Sequence, residues 1–142
     1  MARDALSILL RVRSGAVVAA SRDLAAARSI ERQHVSALDI HQEAIRHEQA
    51  QMCGEHIAAF VIWLSQARRR TDMLKDVIQT EQAKVAQLQR ILVDRRTDAE
   101  AVVKIIERKA LAAALVQTQR DQAVMDEAAG RAGRFSPGSP AC

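Results

Sequence analysis

Helix-breaking residues are almost absent from the first 129 positions of this 142-residue chain, and this absence constrains the fold more than any other feature. Glycine occurs there only at Gly15 and Gly54, and both prolines, Pro137 and Pro140, lie in the last six residues. Glycine and proline punctuate helices. The break at residues 52–54 therefore divides the chain into two long, uninterrupted segments.

These two segments predict two helices within a single unit, residues 1–131. Helix one is expected at about residues 4–52, the turn at 53–55 and helix two at about 56–131. Residues 132–142 carry glycine, serine and proline, a composition that predicts a frayed, disordered tail.

Apolar residues recur every seventh position in both segments. The first segment contains Leu10, Val17, Leu24, Glu31, Leu38, Ile45 and Met52, interleaved with Arg13, Ala20, Ala27, His34, His41 and Glu48. The second contains Ile57, Leu64, Thr71, Ile78, Val85, Leu92, Ala99, Ile106 and Ala113, interleaved with Phe60, Ala67, Leu74, Glu81, Leu88, Arg95, Val102, Lys109 and Val116. A sustained heptad indicates a left-handed coiled coil, and a short turn favours antiparallel packing. The predicted fold class is all-α, an antiparallel two-helix coiled-coil hairpin.

Composition and charge narrow the class of function. The chain has one tryptophan, two phenylalanines and no tyrosine, which is too few aromatic residues for an ordinary globular core. The net charge of +4 is spread along the chain and interleaved with acids, so no nucleic-acid partner is expected. No run approaches the ~20 apolar residues of a membrane span. Two cysteines, Cys53 and Cys142, fit a reducing cytoplasm better than a disulfide framework.

Motifs for catalysis and cofactor binding are missing from the sequence. There is no nucleophile elbow, phosphate-binding loop, dinucleotide fingerprint or HExxH motif. A two-helix hairpin also offers no enclosed pocket for catalytic groups. Cys53 and His56 lack a second ligand pair at zinc spacing, and the other histidines, His34, His41 and His47, fit polar positions near the seam or the tip. We therefore predict a protein that is not an enzyme and needs no cofactor or metal.

Two features of helix two, the basic run at residues 68–70 and Trp63, have more than one interpretation. The basic run at residues 68–70 fits either a solvated face or a contact with an acidic partner or lipid headgroup. Phe60 lies on the heptad seam and is predicted to be core. Trp63 lies off that seam, so it is either core or a binding anchor.

Helix two is predicted to outlast helix one. Pairing outward from Gly54 places Leu6 opposite roughly Val102, so about 25–30 residues of helix two overhang their partner. Apolar residues continue through this overhang: Ile105, Ile106, Leu111, Leu115, Val116 and Met125. Arg108, Arg120, Asp121, Asp126 and Arg131 surround them. Because a single helix of this kind is poorly stable in water, we expect a second copy or a different partner to cover it.

The end of helix two carries a recognisable motif. Residues 121–132 read DQAVMDEAAGRA, which resembles the D-Q-x-x-M-D-E-x-A-x-R-A run that closes the second helix in the flagellar export protein family FliJ. The AALV segment at 113–116, the length, the two-helix plan and the polar tail also fit that family.

The resemblance implies a non-enzymatic, cytoplasmic component of the flagellar type III export apparatus. Members of the family resemble the stalk helices of the rotary ATPase γ subunit, and they bind and stimulate the hexameric export ATPase. They also contact the cytoplasmic domain of the export gate and are proposed to recycle export chaperones. Their association with the inner membrane, at the flagellar base, is peripheral and occurs only through the apparatus.

The resemblance also assigns candidate contact residues. At the ATPase end they are Leu111, Leu115, Arg120, Asp121, Met125, Asp126 and Arg131. At the gate end, near the tip, they are Leu38, His41, Ile45, Phe60, Trp63 and Leu64. Phe60 and Leu64 match a Phe and a Leu of the family, whereas the family's frequent helix-one tyrosines are replaced here by Leu38, His41 and Ile45. The alternatives are an unrelated cytoplasmic coiled-coil adaptor or chaperone and, less favoured by the residues, a nucleic-acid-binding or catalytic helical protein.

Overall fold

Two long helices make up nearly all of the described chain. The computed structural model describes the backbone of residues 2–134 and the side chains of residues 5–134. Helix α1 spans Ala2–Gln51, a 3-10 turn spans Gly54–His56, and helix α2 spans Ile57–Arg134. The predicted all-α, two-helix class is confirmed. Helix α2 continues three residues past the predicted end at 131, and the rest of the predicted tail, residues 135–142, lies outside the described residues.

The break between the helices depends on an extended residue rather than on an unusual glycine conformation. Cys53 adopts φ −103° and ψ 149°, which ends the helical path after Gln51. The His56 amide then donates a hydrogen bond to the Cys53 carbonyl at 3.4 Å and closes the 3-10 turn. Gly54 has no positive φ. Its role in the turn is therefore to be a poor helix former rather than to adopt a left-handed conformation.

Residues Arg11–Ala99 form one compact unit in which the two helices run in opposite directions. Arg13 Nη1 lies 3.1 Å from Asp98 Oδ2, and His41 Nε2 lies 2.9 Å from the Ala67 carbonyl oxygen. As numbers rise along α1, the numbers of the contacted residues fall along α2. Within this unit the packing is therefore antiparallel, as the heptad pattern predicts.

The core of this unit is the predicted heptad seam. Its buried cluster consists of Ala20, Leu24, Ala27, Val85 and Leu92, with Val17 and Leu88 packed against it. All seven belong to the predicted heptad series. The α1 side of the seam is rich in alanine, and each buried carbon is worth only about 0.8 kcal/mol. The larger side chains, Leu24 and Leu92, therefore contribute most to stability.

Polar side chains occupy some seam positions, and Glu81 and His41 find hydrogen-bond partners there. Glu81 is buried at a heptad position, and its Oε1 accepts from Lys84 Nζ at 2.7 Å. The half-buried His41 donates to the Ala67 carbonyl, so its Nε2 carries the proton, because a carbonyl oxygen only accepts. Arg95, predicted to lie on the seam, is exposed, which its long, strongly hydrated side chain readily permits.

The second unit comprises Met1–Leu10 and Glu100–Cys142. In its described part, Val102 is buried and Leu6, Leu10 and Ile106 are half-buried. From 107 to 134 every residue is exposed, although the helix continues without a break.

Gly15 is an avoidable weakness in α1, and Gly15→Ala should stabilise the protein by about 0.5–1 kcal/mol. Gly15 is exposed within the helix, and a Cβ added there would meet nothing within 4 Å. Alanine therefore gains helix propensity without a clash. Urea denaturation followed by circular dichroism measures the change. The reverse substitution at another exposed site, Ala19→Gly, should lower the free energy of unfolding by a similar amount, and a destabilised Gly15→Ala variant would contradict the expectation.

Candidate partner-binding surfaces

The exposed C-terminal segment of α2, residues 107–134, contains the seven residues expected at the ATPase end. All of them are exposed. Leu111 and Leu115 expose 66% and 65% of their surface, and Met125 exposes 72%. Leucine is among the residues most often buried in folded proteins. In this segment two leucines one turn apart, together with Met125, are open to solvent.

Apolar residues of this region lie on two faces of the helix. Nine residues of an α-helix make about two and a half turns. Leu111 therefore points away from buried Val102, and Leu115 points away from half-buried Ile106. Val124, five turns after Ile106, continues the seam face instead, and it is also exposed. The heptad count follows only the seam face, which is why it did not separate the two.

The charged residues of the segment divide into bonded and free groups. Asp121 Oδ1 accepts from Gln117 Nε2 at 2.9 Å, and Arg131 Nη2 pairs with Glu127 Oε1 at 2.6 Å. Arg120 and Asp126 make no hydrogen bond or ion pair with any of residues 5–134. Glu107, Arg108, Lys109 and Arg134 are likewise exposed without such a bond among residues 5–134, so these six charges are the ones available to a partner.

The six residues expected at the gate end lie near the turn, and the structure leaves all of them half-buried. Leu38, His41 and Ile45 come from α1, and Phe60, Trp63 and Leu64 come from α2. The rings of Phe60 and Trp63 pack against each other, with centroids 5.6 Å apart and planes tilted by 31°. Trp63 is thus partly core and partly surface, although it lies off the heptad seam.

A shallow recess of about 400 Å³ opens beside this aromatic pair. It is lined by Glu48, Gln51, Met52, Cys53, His56, Ala59, Phe60 and Trp63. Val61 and Ile62, near the turn, are exposed and were not singled out from the sequence, and Ile57, predicted to lie on the seam, is also exposed because the seam begins farther from the turn. Ile62 and Val61 occupy positions outside the core heptad, and that signal alone could have identified them.

The basic run at residues 68–70 and Cys53 both lie on the surface. The three arginines at 68–70 are exposed and make no ion pair within residues 5–134. Cys53 is an exposed free thiol. Among the described residues, no three histidine, cysteine or acidic side chains converge as metal ligands would. The described helices also include none with the length and apolarity that crossing a membrane requires.

Comparison with known proteins decides the family. A family profile described as "Flagellar FliJ protein" matches residues 1–136. The chain belongs to the FliJ family. Searches of curated proteins and of solved structures found no match.

FliJ membership makes the chain a component of the flagellar export apparatus, in a family whose role there is non-catalytic. The matched range includes the two surfaces described above, the exposed C-terminal segment and the residues around the turn. It also includes the motif at 121–132, so the resemblance carried by twelve residues extends over nearly the whole chain.

Proposed function

We propose that this FliJ-family protein binds and stimulates the hexameric export ATPase through its exposed C-terminal segment. The observation that carries the proposal is the continuous exposure of residues 107–134, with Leu111 and Leu115 each about two-thirds open. An isolated helix with so much apolar surface is marginally stable in water. A partner that covers these leucines would remove that cost and gain binding free energy from the same area.

The two apolar faces of the segment favour a partner that surrounds the helix. A flat surface could cover Leu111 and Leu115 or the opposite side with Val124, but not both at once. The central opening of a ring-shaped ATPase presents walls on every side. Arg120 and Asp126, which have no partner among the described residues, suit polar contacts at the rim of such an opening.

The second part of the proposal assigns the region around the turn to the cytoplasmic domain of the export gate. Phe60 and Trp63 form a paired aromatic surface, and aromatic residues dominate the binding energy of protein interfaces. Exposed Val61 and Ile62 extend the apolar area beside them. Contact with the gate would place the protein at the inner membrane peripherally, from the cytoplasmic side. Export chaperones complete the proposed set of partners.

A reciprocal binding experiment separates the two surfaces. Truncation after Arg108 keeps the half-buried Ile106 and removes Leu111, Leu115 and the rest of the exposed segment. It should abolish co-sedimentation with the purified ATPase but leave binding to the gate domain unchanged. Trp63→Ala should do the opposite and weaken gate binding about 30-fold, the loss expected for an aromatic hot spot.

Leu74→Ala is the matched control, because Leu74 is also a half-buried α2 residue but lies farther along the helix from the turn. It should leave both interactions intact. Loss of binding to both partners in either variant, or binding of the ATPase by the truncated protein, would contradict the assignment of the two surfaces to separate partners.

A further inference from the structure

One side of the Arg11–Ala99 unit carries a groove that neither proposed interaction uses. A recess of about 470 Å³ runs between the helices and is lined by Asp23, Ala26, Ala27, Ile30, Glu81, Lys84, Gln87, Leu88 and Ile91. Steps of seven residues stay on one side of a coiled-coil helix. The same side of α2 therefore also presents Arg70, Val77 and Asp98, and we call this side the groove face.

The groove face is apolar and open. Ile30, Val77 and Ile91 expose 43%, 39% and 37% of their surface. Val77 and Ile91 lie two heptads apart on α2, and Ile30 lies on the facing wall from α1, so the natural occupant is helical and follows the same supercoil. The charges on the face are of both signs: Asp23, Arg70, Glu81, Lys84 and Asp98, with Glu81 already paired with Lys84 on the same helix.

The other side of the unit, which we call the basic face, has a different character. Ser21 of α1 and Arg96 of α2 line a shallow depression there. Heptad steps from these two residues reach Arg28, Arg68 and Lys75, and they meet no carboxylate between residues 14 and 96. Two basic faces would repel each other, so self-association is disfavoured on this side.

The charges of the groove face complement those of a second copy in an antiparallel arrangement. The contacts Arg13–Asp98 and His41–Ala67 fix which α2 residue is level with which α1 residue. Interpolating between them, Arg70 lies level with about residue 38 of α1, Lys84 with about residue 26 and Ile91 with about residue 19.

Three pairs of groove-face residues are then centred at the same position along the helix axis, which is the level of about residue 25 of α1. The pairs are Arg70 with Asp98, Lys84 with Asp23, and Ile91 with Ile30. A two-fold axis through that level would bring each residue of one copy beside its counterpart in the other. Opposite charges would meet at two levels and the isoleucines between them.

We propose that two copies of this protein associate through their groove faces, antiparallel, to form a four-helix bundle centred near Asp23 and Lys84. Packing of this kind covers Ile30, Val77 and Ile91 in both copies and leaves the basic faces on the outside. Asp98 keeps its Arg13 partner, since a carboxylate can accept from more than one donor. The inference is independent of the proposed export partners.

Sedimentation equilibrium of the full chain tests the dimer, over about a hundred-fold range of concentration. The wild type should dimerise, and Ile30→Asp with Ile91→Asp should raise the dissociation constant at least about ten-fold. The matched control is Val35→Asp with Val93→Asp, which places the same charges on exposed valines outside the groove face. Circular dichroism checks that each variant remains helical.

A charge exchange tests the arrangement itself without touching an apolar residue. Arg70→Glu alone should weaken the dimer, and Arg70→Glu together with Asp98→Arg and Arg13→Glu, which keeps the intrachain pair with its charges exchanged, should restore it to within about three-fold of wild type. A wild-type chain that stays monomeric throughout the range would overturn the proposal. So would equal weakening by the control pair, or failure of the exchange to restore association.

Discussion

Leu92→Asp is expected to unfold most of the Arg11–Ala99 unit, with a loss of about 3–5 kcal/mol in the free energy of unfolding. Leu92 is buried in the cluster with Leu24 and Val85. Aspartate would lose that packing and bring a carboxylate into a buried, apolar cluster. A loss of this size is a large part of the 5–15 kcal/mol that typically stabilises a small protein.

Neighbouring positions should give graded effects because their burial differs. Leu88 is half-buried, so Leu88→Asp should cost about half as much, whereas exposed Gln89 should tolerate aspartate with a change of about 0.5 kcal/mol or less. Urea denaturation followed by far-ultraviolet circular dichroism gives all three values. Similar losses at the three positions would mean that the seam does not follow the heptad register.

The hairpin was predictable because its signal is periodic and local. Two helices follow from the spacing of glycine and proline, and the seam follows from one residue in seven. Even buried Glu81 falls on a predicted heptad position, where Lys84 on the next turn of the same helix neutralises it. The details of the turn differ, since Cys53 rather than Gly54 adopts the conformation that ends the first helix, and the predicted seam residues Ile57 and Arg95 are exposed.

The candidate surfaces were only partly predictable, because they depend on faces outside that period. Leu111 and Leu115 lie opposite the seam, and a heptad count that follows Val102 and Ile106 cannot show this. Trp63 is half-buried through its contact with Phe60, and contacts between off-seam residues are invisible to periodicity.

The groove face was not predictable from the heptad pattern alone. Its pairing of Lys84 with Asp23 depends on which residues of the two helices are level. That alignment is fixed by Arg13–Asp98 and His41–Ala67, which are contacts across 85 and 26 positions of sequence.

Leu111→Asp together with Leu115→Asp is expected to abolish stimulation of the export ATPase while leaving the protein helical. Both side chains are open to solvent, so the substitution costs only the modest helix propensity of aspartate, about 0.5 kcal/mol at each site. In a complex, the same two carboxylates would be buried without partners. The expected loss of binding is at least about 30-fold.

The direct test is the rate of ATP hydrolysis by the purified export ATPase, measured as the FliJ-family protein is added. Wild type should raise the rate to a plateau, and Leu111→Asp with Leu115→Asp should leave it at the basal value. Val18→Asp with Val93→Asp, which adds two charges at exposed positions in the Arg11–Ala99 unit, should stimulate like wild type. Full stimulation by the Leu111/Leu115 variant would contradict the assignment of the exposed C-terminal segment to the ATPase.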